Sequence, residues 1–277
     1  MTMPATFKLS KDQIASFSEK GLLRVNFNLN PAFLDSIVEK ITPYYDAEQL
    51  QQRAPGIRLQ DIWKQVDEAR QLATDRRILD ALQQLIGRKP LPFQTLNFPV
   101  GTAQLTHSDT LHFSSIPKGY MLGVWVALED IDADNGPLIY YPGSHKLKEY
   151  SMQNLGLKSG RENYPEYEKA IQRLIEVNNL KPEYGIIKKG EALIWHANLL
   201  HGGAPHKDRN RSRYSQVTHY YFEGCKYYTP MNSRFGFKLY RNPVWLPESA
   251  DYELTDSLPA YSLFQRILLR LGILKDD

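Results

Sequence analysis

The sequence predicts a mainly β protein with flanking helices, organised as a sandwich or jelly roll. Two observations support this fold class. Short runs of β-branched and aromatic residues recur between residues 93 and 222, and turns rich in Gly and Pro separate them. Residues 1–90 instead show the helical spacing of apolar side chains. With 277 residues the chain can form one large domain, or one core with additions.

Residues 1–90 are expected to form a helical brace against one face of the sheet. Ser10-Lys11-Asp12-Gln13 matches a capping box that begins a first helix, and Gly21 ends it. Pro31 stands in the first turn of a second helix over residues 31–41. Two further helices are predicted over residues 59–72 and 77–86.

The core is expected to cover residues 91–225, with strands at 93–100, 120–128, 138–141, 184–188, 192–196 and 214–222. A polar insertion of about residues 146–180 interrupts these strands, and its portion 164–177 is predicted to be a helix. Such insertions are either lids over the mouth of the core or passive surface excursions. Residues 226–277 are predicted as loop and helix, and the amphipathic stretch 262–271 suits core packing or a homo-oligomer contact.

Composition narrows the class of protein. A net charge of +3 without any run of Lys or Arg argues against a nucleic-acid partner. The single cysteine, Cys225, excludes an intramolecular disulfide framework and agrees with a cytoplasmic location. The first residues lack the apolar region of a signal peptide, and the sequence has no apolar run of transmembrane length.

His107 and Asp109, separated by Ser108, are the most informative candidates for a functional site. In an extended strand alternate side chains share a face, so this imidazole and this carboxylate would point the same way. His201 follows the apolar segment 192–200 and would add a second imidazole. Such a 2-His-1-carboxylate set suits a non-haem iron(II) oxygenase, because it leaves open positions on the metal. The alternative is a hydrogen bond between His107 and Asp109 inside the core.

Several motifs follow in an order that resembles the phytanoyl-CoA dioxygenase family. They are Thr106-His107-Ser108-Asp109, Trp125-Val126-Ala127-Leu128-Glu129-Asp130, Asn135-Gly136-Pro137-Leu138, Pro142-Gly143-Ser144-His145-Lys146, and His201-Gly202-Gly203 with Arg213. The resemblance covers about residues 93–222 and implies a single oxygenase domain with a cupin-like, double-stranded β-helix core. It also implies iron(II), 2-oxoglutarate and O₂ as cofactor and co-substrates. The implied reaction is hydroxylation of a small molecule with release of succinate and CO₂.

The resemblance assigns His107, Asp109 and His201 to the metal and Arg213 to 2-oxoglutarate. A guanidinium suits the distal carboxylate of this co-substrate, because it forms two parallel hydrogen bonds and stays charged when buried. Arg209 and Arg211 are nearby rivals, interpreted as solvated turn charges. The remaining co-substrate candidates each have a structural alternative. They are Trp125, which lines the pocket or packs in the core, and Gln94 and Asn97, which bind 2-oxoglutarate or satisfy local hydrogen bonds.

Substrate contacts are less well defined by the sequence. His112, three residues after Asp109, is expected to face the substrate or support the metal site. Tyrosines expected to face the pocket suggest a polar or amphipathic substrate; they are Tyr120, Tyr140, Tyr141 and Tyr221. The other histidines of the core are interpreted as structural or exposed; they are His145, His196 and His206.

Three functional hypotheses remain open at this point. Related halogenases have a small residue in place of the carboxylate, so Asp109 favours hydroxylation, desaturation or ring formation over halogenation. A non-catalytic, cupin-like metal-binding sensor would retain the metal without turnover. A zinc-dependent isomerase or hydrolase would use a metal-bound water, and it would give Arg213 no partner.

Overall fold

The computed structural model describes residues 6–234 and 237–248. Helices flank the sheets in this part of the chain, as the sequence predicts. Their bounds are α1 (Lys11–Lys20), α2 (Pro31–Ile41), α3 (Ala47–Gln52), α4 (Asp67–Ala73), α5 (Arg76–Ile86) and α6 (Tyr164–Val177). None of the helices in the described ranges is long and apolar enough to cross a membrane.

Capping explains where the first helix begins and ends. The Ser10 hydroxyl accepts from the backbone N–H of Gln13 at 3.1 Å, and the Gln13 side chain accepts from the Ser10 N–H at 2.8 Å. At the other end Gly21 has φ of +74°, a left-handed conformation that glycine adopts without strain. The predicted capping box and stop are confirmed, as are α2 and the inserted α6.

Twelve strands form three antiparallel sheets in the described residues. Their bounds are β1 (Leu22–Asn26), β2 (Leu59–Gln60), β3 (Pro90–Phe98), β4 (Ser114–Ile116), β5 (Met121–Ala127), β6 (Leu138–Tyr140), β7 (Glu183–Tyr184), β8 (Glu191–His196), β9 (His201–Gly203), β10 (Ser215–Phe222), β11 (Lys226–Arg234) and β12 (Phe237–Arg241). The six-stranded major sheet has the order β1-β8-β5-β10-β3-β2. Two three-stranded sheets complete the β structure, with the orders β7-β6-β9 and β12-β11-β4.

Four segment predictions were wrong. Of residues 184–188, predicted as a strand, only Tyr184 belongs to one, β7, and Ile187 forms an isolated bridge with Ile131. Residues 22–26, assigned to the helical brace, form β1 at the edge of the major sheet and pair with β8. Within residues 59–72, predicted as one helix, the α-helix begins only at Asp67. Leu59–Gln60 instead pairs with β3, and a short 3₁₀ turn follows it. Residues 226–234 and 237–241, predicted as loop, form the paired strands β11 and β12. The predicted helix 262–271 and its oligomer contact lie outside the described residues.

The major sheet separates the N-terminal helices from an interior that faces the smaller sheets. On β5, Leu122, Val124 and Val126 pack with the N-terminal helices in the largest apolar cluster. Trp125 and Ala127 alternate with them and belong to a second cluster on the opposite face. This alternation is the two-residue period of a strand, and it decides which side chains can reach the interior.

A buried polar pair lies on the helix-facing side of the sheet. Asn97 on β3 and Gln216 on β10 are register partners, and both are fully buried. The Asn97 amide donates to Gln216 Oε1 at 3.0 Å, and the Gln216 amide donates to the carbonyl of Ala69 in α4 at 2.9 Å. The pair thus ties the helical brace to the sheet by hydrogen bonds, in addition to apolar packing.

We expect Asn97→Ala to destabilise the fold by about 1–3 kcal/mol, because Gln216 Oε1 would lose its buried donor. Urea unfolding followed by circular dichroism measures the change in free energy of unfolding. Gln65→Ala, at an exposed position between the same sheet and α4, is the control and should change stability little. Equal effects of the two substitutions would contradict the role given to the buried pair.

Candidate metal and co-substrate site

The two histidines of the predicted metal site are held side by side by a backbone bridge. The His107 N–H donates to the His201 carbonyl at 2.9 Å, and the His201 N–H donates to the His107 carbonyl at 3.0 Å. The imidazole ring centroids lie 4.6 Å apart. Segments far apart in the sequence are thereby brought into one antiparallel pair.

Two glycines after His201 allow this close approach. A Cβ at Gly202 would lie 2.7 Å from the carbonyl oxygen of Gln104, and one at Gly203 would lie 2.6 Å from the Thr102 hydroxyl. Any side chain there would push β9 away from the segment that leads to His107. The His201-Gly202-Gly203 motif therefore has a steric explanation in this structure.

Asp109 reaches the imidazoles from a turn, which corrects the prediction of an extended strand. It begins a 3₁₀ helix, Asp109–Leu111, for which Ser108 is the cap. One carboxylate oxygen lies 3.7 Å from His107 Nε2 and the other lies 3.7 Å from His201 Nε2. Two metal–ligand bonds of about 2.1 Å can span such a separation. All three side chains are buried, and their donor atoms lie within 4.8 Å of one another.

Hydrogen bonding fixes which nitrogen of each histidine can bind a metal. His107 Nδ1 lies 3.0 Å from the carbonyl oxygen of Leu105, and His201 Nδ1 lies 2.9 Å from that of Leu199. A carbonyl oxygen only accepts, so Nδ1 is the N–H in both rings. Nε2 therefore has the free lone pair, and in both residues it faces Asp109.

The electrostatics of this group suit a cation. Burial, followed by the neighbouring His201, lowers the pKa of His107 to about 3, so that imidazole is neutral near pH 7. Burial alone would raise the pKa of Asp109, but the surrounding histidines and the Trp195 N–H lower it to about 2. The carboxylate is thus ionised beside a neutral imidazole. This combination of a buried anion and available lone pairs fits a divalent metal such as iron(II).

Two further residues surround the Asp109 carboxylate. The Trp195 indole N–H donates to Asp109 Oδ2 at 2.8 Å. His219 Nε2 lies 3.8 Å from the same oxygen, and burial lowers the pKa of His219 to about 4. His219 Nδ1 is 3.0 Å from Gln94 Oε1, so its lone pair also faces the site.

Arg213 is a buried cation on the wall of the same cavity. Its side chain is 4% exposed, one guanidinium nitrogen donates to the Ser215 hydroxyl, and Nε has no hydrogen-bond partner among the described residues. The guanidinium lies 5.4 Å from the Trp125 ring centroid. Burial lowers its pKa to about 10, so it remains charged at neutral pH. Glu129 is close enough to oppose this lowering of the pKa, but no carboxylate of the described residues forms a direct ion pair with the guanidinium. A buried guanidinium without an ion pair is costly unless an anionic ligand completes its surroundings.

The cavity joins the metal-binding group to Arg213. Its empty volume, including the part open to solvent, is about 560 Å³. Thr102, Gln104 and Gly203 line it together with His107, Asp109 and His201. The apolar part of the lining is formed by Leu96, Phe98, Trp125, Leu138 and Val217. Trp125, predicted either to line the pocket or to pack in the core, does both, since it also belongs to a buried apolar cluster.

Three other predicted site residues do not line the cavity, although His112 is close enough to His107 and His219 to interact with both imidazoles electrostatically. Asn97 is on the opposite face of β3, because the strand alternates and Leu96 and Phe98 take the cavity side. Gln94 is on the cavity side of β3 but contacts His219 and does not line the cavity. His112 is directed to Tyr164 of α6, with ring centroids 5.5 Å apart, and is outside the lining.

The predicted pocket tyrosines are also displaced from the cavity. The Tyr120 ring stacks beneath the Arg88 guanidinium on the helix side of the sheet, and Tyr141 packs in an apolar cluster with α6. Tyr140 donates to Glu183, and Tyr221 stacks between Phe93 and Tyr227. The sequence pattern did not show which face of the sheet each of these tyrosines would occupy. They do not support a tyrosine-rich pocket.

The remaining predictions for charged and structural residues agree with the structure. Arg209 is exposed, and Arg211 forms an ion pair with Asp132. His145 contacts the carbonyl of Ser18, whereas His206 accepts from the Gly101 N–H and lies outside the metal-binding group. The inserted α6 also contacts the site, since the Tyr167 hydroxyl accepts from the Ser108 N–H at 3.3 Å.

Sequence reasoning missed His219 and Trp195, although both positions were detectable. Side chains alternate along β10 and the residues just before it, so one face carries residues 213, 215, 217 and 219. The assignment of Arg213 to the cavity therefore already implied that His219 faces the cavity. Gly123, inside an apolar strand, indicated a close approach by a large neighbour, which is Trp195.

A family model for phytanoyl-CoA dioxygenase (PhyH) matches residues 29–213 of the chain. The peroxisomal phytanoyl-CoA dioxygenase of Rattus norvegicus is 28% identical over 131 residues, which cover 44% of this chain and 34% of the rat protein. Phytanoyl-CoA dioxygenase domain-containing protein 1 of Danio rerio is 28% identical over 173 residues, covering 60% of this chain and 49% of the fish protein. The matches thus span about a third to a half of these relatives.

Solved structures support the fold. The epimerase SnoN, in complex with Fe3+, alpha ketoglutarate and nogalamycin RO, has a TM-score of 0.59 at 20% identity, covering 87% of this chain and 96% of SnoN. EctD from S. alaskensis, with 2-oxoglutarate and 5-hydroxyectoine, has a TM-score of 0.57 at 22% identity, covering 80% of this chain and 78% of EctD. The likeness confirms the predicted jelly-roll core, although the described strands form no closed barrel.

The family match spans more than half of the sequence, and the two histidines and the aspartate predicted from its motifs converge in the folded chain. The chain therefore belongs to the phytanoyl-CoA dioxygenase family.

Proposed function

We propose that this protein is an iron(II)- and 2-oxoglutarate-dependent dioxygenase that hydroxylates a small-molecule metabolite. The observation that supports it most directly is the buried Arg213. Its guanidinium lines the same cavity as the metal-binding group, and no carboxylate among the described residues forms an ion pair with it. A dicarboxylate bound to the metal at one end would bring its other carboxylate to such a guanidinium. A zinc hydrolase needs no cation at that position.

In this proposal His107 Nε2, His201 Nε2 and Asp109 hold the metal, and Arg213 and Ser215 hold the distal carboxylate of 2-oxoglutarate. The apolar wall with Trp125 excludes water from the co-substrate. When bound, iron(II) and 2-oxoglutarate together supply the oxidising power that inserts one oxygen atom of O₂ into the substrate and releases succinate and CO₂. Asp109 occupies the position that halogenases leave free for chloride, which favours oxygen insertion.

Related outcomes of the same chemistry are the second candidate. SnoN is an epimerase and SnoK a carbocyclase, and both resemble this chain in fold. Epimerisation and ring formation begin with the same removal of hydrogen from a substrate carbon, so the metal and co-substrate residues do not distinguish them from hydroxylation. A non-catalytic sensor would keep the metal but form no succinate. A cytoplasmic location remains a prediction from the single cysteine.

The proposed reaction is tested by turnover with iron(II), ascorbate, O₂ and a library of small metabolites. We expect 2-oxoglutarate-dependent succinate release that a chelator abolishes, and a product that has gained one oxygen atom by mass spectrometry. His107→Ala should lower metal affinity by more than about 10-fold, since it removes a ligand. A product of unchanged mass would favour epimerisation, and a loss of two hydrogens would favour ring formation or desaturation. Metal binding without succinate from any substrate would favour the sensor.

We expect Arg213→Ala to weaken 2-oxoglutarate binding by about 10- to 100-fold, because charged hydrogen bonds contribute about 1.5–3 kcal/mol. Titration calorimetry on the metal-loaded protein measures this change. Arg211→Ala is the matched control, because Arg211 lies two residues away but pairs with Asp132 outside the cavity. If Arg213→Ala bound 2-oxoglutarate as tightly as the wild type, the assignment of Arg213 to this co-substrate would be wrong.

The pH dependence of 2-oxoglutarate binding follows from the same residue. Burial lowers the pKa of Arg213 to about 10, and the cation is present below that value and lost above it. We expect affinity to be level through neutral pH and to fall as the pH rises through about 10. Calorimetry across this range, with folding checked by circular dichroism at each pH, measures it. A fall already near neutral pH would show that another group controls binding.

A further inference from the structure

We propose that Trp195 is a positioning residue that restricts Asp109 to metal binding through one carboxylate oxygen. The inference rests on the proposed function. The indole N–H donates to Asp109 Oδ2 at 2.8 Å, and the residues Trp195 and Asp109 are 2% and 4% exposed. Water therefore does not compete for this hydrogen bond. Each carboxylate oxygen lies 3.7 Å from one imidazole Nε2, Oδ1 from that of His107 and Oδ2 from that of His201. Because the indole N–H binds Oδ2, Oδ1 is the oxygen that we assign to the metal.

The sheet is built to place the indole there. Trp195 on β8 and His219 on β10 are both register partners of Gly123, which lies between them on β5. A Cβ on Gly123 would lie 2.3 Å from two indole carbons and 2.8 Å from Nε1. The absence of a side chain at Gly123 is therefore the condition for the indole to lie across β5. Residues in register on three neighbouring strands thus place Trp195 and His219 next to the Asp109 carboxylate.

His219 strengthens the assignment of the donor. Its Nδ1 is directed to Gln94 Oε1, so Nε2, at 3.8 Å from Asp109 Oδ2, offers a lone pair and no proton. It does not replace the indole N–H as a donor. The rings of Trp195 and His219 meet edge to face, with an interplanar angle of 86°, which fixes the indole against rotation.

The number of coordination positions explains why one oxygen matters. A six-coordinate metal bound by His107, His201 and one oxygen of Asp109 has three positions left. Chelation by 2-oxoglutarate takes two of them, which leaves one open. If both oxygens of Asp109 bound the metal, that last position would be filled. The Trp195 hydrogen bond keeps Oδ2 occupied and so preserves the open position.

Trp195→Phe tests the inference, because it keeps an apolar ring and removes only the N–H. Cobalt(II) is the probe, since its spectrum shows which ligands it binds. Water fills an open position in solution, so the spectra are recorded with azide, which replaces exchangeable water. With cobalt(II), 2-oxoglutarate and azide, we expect the wild-type protein to give an azide-to-cobalt absorption band and Trp195→Phe, without an exchangeable position, to lack it. With iron(II), we expect 2-oxoglutarate turnover to fall by about 10- to 100-fold in the variant.

Trp63→Phe is the matched control. Trp63 is also buried, and its indole N–H donates to Asp61 Oδ1 at 3.3 Å, far from the metal-binding group. We expect its cobalt(II) spectrum to match that of the wild type. A second variant, Gly123→Ala, should displace the indole and give the spectrum of Trp195→Phe although the tryptophan is present. Thermal unfolding monitored by circular dichroism verifies that each variant is folded.

The outcomes separate this inference from the proposed function. A wild-type spectrum that does not respond to 2-oxoglutarate would overturn the proposed function. The inference about Trp195 would then also fail, because it assumes that 2-oxoglutarate takes two coordination positions on the metal. A normal wild-type response together with an unchanged spectrum in folded Trp195→Phe would overturn only the role of Trp195. The same spectral change in Trp63→Phe would also overturn it, because the effect would then reflect general packing.

Discussion

The backbone bridge between His107 and His201 determines the geometry of the whole site. Its two hydrogen bonds join a segment that enters from β3 to a strand of one of the smaller sheets, and the glycines after His201 allow the contact. Because side chains alternate along a strand, a shift of one residue in this pairing would turn one imidazole away from the other. The turn at Asp109 and the cavity leading to Arg213 are placed relative to this pair.

Burial gives these polar groups their chemical character. Desolvation keeps the imidazole of His107 neutral, and Asp109, whose carboxylate accepts the indole N–H of Trp195, stays ionised. Arg213 remains a cation in the lining of the same cavity. Unpaired polar groups at such depth oppose folding unless ligands complete them. Under the proposed function, the arrangement exchanges some stability of the free protein for affinity toward a metal and a dicarboxylate.

Local patterns predicted the elements whose signals lie within a few residues. The capping box at Ser10, the proline at Pro31 and the helical spacing of α6 each depend on neighbours along the chain, and each was correct. Residues 22–26 were missed because they form a strand by pairing with β8, more than a hundred residues away. The paired strands β11 and β12 were missed for a similar reason, since β4 also supports them across the sheet.

The sequence by itself determined the chemistry of the site: two histidines, an aspartate and an arginine in the order of a known family. Only the tertiary structure decided which neighbours serve them. Asn97 faces the helices and His219 faces the cavity because each strand has two faces, and only the packing of helices against one of them decides which is interior. Trp195 reaches Asp109 because Gly123, on another strand, leaves room for its indole. Contacts between strands depend on register, and register is a property of the folded sheet.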